Sequence, residues 1–183
     1  STVYCSGLEL PCLLKYNTDY TIVSLARTTP RVKSTYMTDP TDHVFGLIYG
    51  RFRSQTLYTG VELGVFEVVS DYPKHAVELA DQLDIDRDAG YRLFRALGSL
   101  GLLEETSDRR FSITAAGELL RKDHPESLHG HAYLNEGPTH YGIWKHLPDI
   151  VGDGGPNGFQ REFGHSVFEH MEADPEYAQV FNT

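Results

Sequence analysis

The sequence predicts a mainly α-helical fold, a winged helix-turn-helix with a small β-hairpin wing plus extra N- and C-terminal helices. Three observations in residues 75–121 predict it: two short helical patterns separated by a tight break, a pair of alternating strands behind them, and a capped helix at the end. Val77, Leu79, Ala80 and Leu83 recur at helical spacing and give the first helix one apolar face. Asp84-Ile85-Asp86 breaks it, and Asp86 is placed to N-cap the next helix. Tyr91, Leu93, Phe94, Leu97 and Leu100 form the apolar stripe of that second helix, and Gly101 is placed to end it in a left-handed conformation. Leu102 to Thr106 and Phe111 to Thr114 are the wing strands, joined by the polar turn Ser107-Asp108-Arg109-Arg110. Thr114 caps the last helix, Ala115 to Leu120.

Outside this unit the chain falls into three stretches. Residues 1–42 are expected to be a disordered leader, of which 1–36 lack a sustained period, with Met37 the natural start or the leader a real N-terminal arm. Residues 43–70 carry two apolar helices, His43 to Tyr58 and Val61 to Val69, with Gly60 a point of kink or break between them. Their apolar positions either complete the chain's own core or are covered by a partner chain. Residues 123–183 continue as helices: about Leu128 to Gly137, a stretch with Tyr141, Trp144 and Leu147, a helix from Phe159 to Met171, and a last one starting at Asp174-Pro175 and cut off at Thr183. A chain ending inside a helix has the look of a fragment.

Composition excludes several classes. The net charge of the 183 residues is −10, and beyond residue 36 twelve basic residues face twenty-four acidic ones. So acidic a surface disfavours a phosphate backbone. No apolar run reaches the length of a membrane span and no signal peptide is visible. Two cysteines, Cys5 and Cys12, fit a reducing cytoplasm better than a disulfide framework.

DNA binding is the usual occupation of a winged helix and is the alternative function, that of a transcriptional regulator. Arg87, Arg92, Arg95, Arg109 and Arg110 are its candidate phosphate contacts. Nine acidic residues against seven basic ones within 75–122 oppose it, and no Asn or Gln between Arg87 and Leu100 is there to read base edges. Gly152 to Gly158 misses the G-x-G-x-x-G spacing and follows no buried strand, so a plain inter-helix loop is favoured over a nucleotide cradle. His124, His129, His131, His140 and His146 show no metal spacing and read as solvated or capping residues. No catalytic triad or Cys-His pair is marked, so no catalytic, cofactor-binding or metal residue is assigned. The aromatics Tyr141, Trp144, Phe163, Phe168 and Phe181 either fill a core or form the wall of a pocket for a flat ligand.

Taken together, several stretches resemble the S-adenosylmethionine-dependent small-molecule O-methyltransferases of the plant caffeate and bacterial polyketide type. Ser54 to Phe66 is similar to that family's first helix pair, and Ala76-Val77-Glu78-Leu79-Ala80 to its T-x-x-E-L-A helix. Tyr91 to Leu97 with Gly101-Leu102-Leu103 resembles R-L-L-R-x-L…G-L-L, and Phe111-Ser112-Ile113-Thr114 with Gly117-Glu118-Leu119-Leu120 resembles F-x-L-T…G-x-x-L. Phe181-Asn182 looks like the opening of F-N-x-x-M. The resemblance covers about residues 43–182. It implies a winged-helix dimerisation domain over 43–122, a homodimer formed through residues 43–70 and the winged helix, and a helical connector and acceptor-pocket region over 123–183. It implies that the Rossmann-like domain binding S-adenosylmethionine, and the general-base histidine, follow F-N-x-x-M. By position, Tyr141, Trp144, Phe168 and Phe181 are the residues expected to line the pocket for a small-molecule acceptor carrying a hydroxyl. The segment alone is then expected to be inactive, to bind no nucleic acid or membrane, and to need no metal.

Overall fold

The computed structural model of the chain describes residues 39–181. Cys5, Cys12, Met37 and all of the expected leader but residues 39–42 lie outside that range. The chain divides into two compact units, Ser1–Val44 and Phe45–Thr183. Of the first unit, residues 39–44 are described. They begin helix α1 (Pro40–Ile48), where the Asp39 carboxylate accepts the Thr41 amide at 2.8 Å.

The second unit starts within α1 and is the winged helix with its extensions. A turn at Tyr49 separates α1 from α2 (Gly50–Glu62), so the single helix expected over 43–58 is two, with the break eleven positions before the one expected at Gly60. Gly60 does not break α2 but lies buried inside it. A Cβ there would press on the Phe66 and Leu97 side chains at 3.0 and 3.1 Å, so the glycine lets α2 approach the core. The break comes instead at Gly64, which is left-handed at φ 71° and precedes the one-turn helix α3 (Val65–Val68).

Helices α4 (Ala76–Gln82) and α5 (Arg87–Ser99) pack as the helix-turn-helix. Asp86 caps α5, its carboxylate accepting the Ala89 amide at 2.8 Å, and Gly101 is left-handed at φ 75° after the helix ends. Leu79 and Ala80 are fully buried, whereas Val77, expected on the same apolar face, points outward and is 39% exposed. The wing is β2 (Leu103–Thr106) and β3 (Arg110–Ile113), antiparallel with Leu103 opposite Ile113 and Thr106 opposite Arg110. A third strand, β1 (Lys74–His75), pairs with the far side of β3, giving the order β1-β3-β2. Two residues are too few to show alternation, so sequence periodicity does not reveal it. Thr114 caps α6 (Ala115–Glu118) by accepting the Gly117 amide, and its hydroxyl also reaches the Gly101 and Leu102 carbonyls.

Val65, Phe66, Val69, Leu79, Phe94, Leu97 and Phe111 meet in one dry core, with Phe94 and Phe111 in ring contact at 5.6 Å. The chain then runs through α7 (His129–Glu136), α8 (Pro138–Ile143), a 3-10 turn at Trp144–His146, α9 (Leu147–Asp153), α10 (Gly158–Phe163), α11 (Val167–Ala173) and α12 (Pro175–Phe181). The helix expected over 159–171 is therefore two. Gly164 stops the first in a left-handed conformation, and Ser166 with Glu169 forms a capping box that starts the second. α7 lies against α2 and against α12, which ties the C-terminal helices to the winged unit.

Candidate functional site

On the wing face, most of the arginines that would meet a duplex are already engaged. Arg87 is bonded to Asp81 at 2.7 and 2.9 Å, and Arg95 pairs with Glu105 at 3.3 Å. The Arg109 guanidinium lies 4.8 Å from the centre of the Tyr91 ring, and Tyr91 donates to Glu105 at 3.0 Å. Arg110 donates to the Pro73 carbonyl. Acidic partners and ring faces take up this positive charge, which gives no support to DNA binding.

A second surface is apolar. α1 contains no buried residue. Phe45, Leu47, Ile48 and Tyr49 are 49–69% exposed, and Phe52 at the start of α2 is 55% exposed. Phe45 stacks on Tyr49, and Tyr49 meets Phe52 at 5.7 Å, so the side chains form a contiguous strip. An isolated exposed aromatic is ordinary; a strip of five on two turns is the mark of an interaction face.

The third surface is a cavity of about 300 Å³ where α2, α7, the start of α8 and α12 converge. Tyr58, Glu62, Tyr133, Leu134, Gly137, Pro138, Thr139, Asp174, Tyr177 and Val180 line it. Tyr58 and Tyr133 are 6.0 Å apart, and the Tyr58 hydroxyl donates to Glu62 at 3.0 Å. Burial, and then the bond to the Glu62 carboxylate, push the Tyr58 phenol up to about 12, so it stays protonated. Gln55 donates to the Glu136 carbonyl at 2.9 Å and fixes α7 on α2 beside the cavity.

Behind the cavity sits a cluster of rings. Tyr177 bonds to and stacks on His140, which is only 7% exposed. Phe159, Phe163, His165 and His170 complete it, with Phe159–Phe163 at 4.7 Å and His170–Tyr177 at 4.9 Å. His140 is thus neither solvated nor a cap, as the sequence alone suggested. Burial, and then the neighbouring His170, hold its pKa below the ordinary imidazole range. Burial likewise lowers that of His129, which stacks on Tyr133. His124 lies in a turn and accepts the Glu126 amide at 3.0 Å, and His146 pairs with Glu162 at 2.7 Å. The glycine loop is a plain connection held by Arg161, which bonds to Asp153 and to the Pro156 carbonyl.

Of the residues expected to line an acceptor pocket, Tyr141 is half-buried while Trp144 and Phe168 are 63% and 51% exposed. None of the three lines the cavity, and among the described residues they make no ring contact with one another. The Phe181 side chain lies outside the described residues. Residue type and spacing do not single out Tyr58, Tyr133, Tyr177, His165 and His170. Their spacing is ordinary for core helices, and only the break at Gly164 and the packing of α12 on α7 bring their neighbours together. Among the described residues, no group of His, Cys, Asp or Glu could hold a metal ion, and no helix is long and apolar enough to cross a membrane.

Comparison with known proteins places the strip and the core in one context. Residues 45–123 match the family model of the O-methyltransferase dimerisation domain. The chain is 34% identical over 155 residues to an O-demethylpuromycin-O-methyltransferase of Streptomyces alboniger, an alignment covering 79% of this chain and 40% of the relative. The crystal structure of LaPhzM superposes with a TM-score of 0.72 at 31% identity, covering 78% of this chain and 42% of that one. A human N-acetylserotonin methyltransferase solved in complex with SAM shares the fold, with a TM-score of 0.69 at 21% identity over 80% of this chain and 45% of that one. The chain thus spans about two-fifths of the length of the proteins it matches. With its winged core, its uncovered apolar strip and this match, the segment 45–123 belongs to the O-methyltransferase dimerisation-domain family.

Proposed function

We propose that the chain is the N-terminal dimerisation and acceptor-binding part of an S-adenosylmethionine-dependent O-methyltransferase, acting in the cytoplasm on a small aromatic or polyketide-like hydroxyl compound. The observation that carries the reading is the exposed apolar strip from Phe45 to Phe52 inside a segment that matches a dimerisation family. In this division of labour residues 43–122 hold a second copy, and residues 123–183 form a wall of the acceptor pocket. Tyr141, Trp144, Phe168 and Phe181 belong to that wall, and the outward rings of Trp144 and Phe168 become covered in the whole enzyme. The methyl donor and the base that deprotonates the acceptor hydroxyl are supplied by a Rossmann-like domain further along the polypeptide. What this chain contributes to in-line methyl transfer is position and the exclusion of water.

Sedimentation equilibrium tests the reading. The 183-residue chain should be a dimer at micromolar concentration, and Leu47→Asp with Phe45→Asp should make it a folded monomer. A wild-type monomer at high concentration would sink the proposal. The activity itself is tested in a longer polypeptide carrying this segment, by transfer of a labelled methyl group from S-adenosylmethionine to a phenolic acceptor.

A further inference from the structure

The lining of the cavity between α2, α7 and α12 is chemically one-sided. Three tyrosines, Tyr58, Tyr133 and Tyr177, form its aromatic part, and two carboxylates, Glu62 and Asp174, are its charged groups. Among the described residues, no lysine, arginine or histidine lines it. The Tyr58 hydroxyl bonds to Glu62, and the Tyr177 hydroxyl bonds to His140. What those tyrosines have to give a ligand is therefore ring rather than hydroxyl. Asp174 accepts the Tyr177 amide at 3.0 Å, and a carboxylate has acceptor capacity beyond one such bond.

Rings and carboxylates without a compensating cation select against anions. They attract a positive charge through the ring quadrupole and through Coulomb attraction. A volume of about 300 Å³ sits at the small end of ligand pockets and admits a one-ring molecule with a short side chain. We propose that this cavity is a cage for the protonated amine of a small aromatic ligand, with Glu62 and Asp174 as counter-charges and Tyr58, Tyr133 and Tyr177 as walls. The proposal rests on the acceptor-binding reading for its biological sense: the acceptor then carries a basic nitrogen that this end of the wall recognises. The binding site itself stands on the lining alone.

The test is equilibrium binding to the whole 183-residue chain, with three probes of like shape and different charge. Phenethylamine is a cation at neutral pH, 2-phenylethanol is neutral, and phenylacetate is an anion. The expected result is saturable binding of phenethylamine about tenfold tighter than the alcohol, and no binding of phenylacetate. Glu62→Gln combined with Asp174→Asn should remove the preference for the amine while leaving the alcohol unchanged. Asn can still cap α12, so the fold survives that change. Tyr58→Phe should keep the affinity, because the ring remains, and Tyr58→Leu should weaken it. Equal binding of amine and alcohol, no saturable binding of the amine, or a preference that survives the double substitution would each overturn the cage. The acceptor reading fails separately: if phenethylamine binds here as expected but does not compete with methyl transfer in a longer polypeptide, the cage stands and its link to the acceptor falls.

Discussion

The winged unit and the C-terminal helices are held together by different chemistry. Of the fourteen buried hydrophobic residues described, thirteen lie between Val61 and Leu120, and one, Phe159, lies beyond. The winged core is dry and made of interlocking aliphatic and phenyl groups. The segment from α8 to α12 is instead organised by imidazoles and phenols around Phe159 and Phe163, with surface pairs such as Lys145–Glu162 at its edge. Hydrophobic burial is indifferent to proton concentration, whereas a buried imidazole is not. The same chain therefore joins a core of aliphatic and phenyl groups to a cluster that holds a titratable group, the buried His140.

The sharpest way to break the contrast is Phe94→Ala. Phe94 is fully buried against Phe111. Its loss should cost about 3–5 kcal/mol in urea unfolding and disorder both regions together. If the C-terminal helices kept their amide protection in that variant, the winged unit would not be their foundation. Next in size is Gly117→Ala. A Cβ at that position would run into the Leu102 carbonyl and approach Ile113 at 2.9 Å, so the expected loss is about 1–3 kcal/mol by thermal melting. Asp86→Ala removes the cap of α5 and should cost about 0.5–2 kcal/mol, while Asp86→Asn should cost much less.

The smallest effect is the most local, and it is one of pH. His140 titrates below its ordinary 6.5 in the folded state. The unfolded chain therefore takes up the proton first as pH falls. The stability from neutral His140 is fully present above about pH 6.5 and is lost as the pH falls from there through the lowered folded value. The groups facing it are the Tyr177 hydroxyl, the Phe159 ring and His170. Hydrogen exchange at pH 5 should show α8 and α12 opening more often than at pH 7.5, with α5 unchanged. Uniform behaviour of both regions would erase the distinction.

How much of this was legible depends on how far each signal reaches along the chain. The caps at Asp86 and Thr114, the left-handed Gly101 and the stripe on α5 were readable because each is decided within a few residues. β1 was not, because its two residues acquire strand character only from β3, some thirty-six positions away. Gly60 misled because glycine within a helix pattern signals either a break or a close approach, and only Phe66 and Leu97 decide which. For the site the limit is sharper. Outward aromatics such as Trp144 could be picked out by residue type, but the cavity joins Tyr58 to Tyr177, which no periodicity relates.

The wing face, finally, bears on how such a protein lives in a crowded cell. Most of its guanidinium groups are matched within the molecule: Arg87 to Asp81, Arg95 to Glu105 and Arg109 to the Tyr91 ring. A shape shared with chromosome-binding proteins is thereby left with little positive charge to offer a polymeric anion.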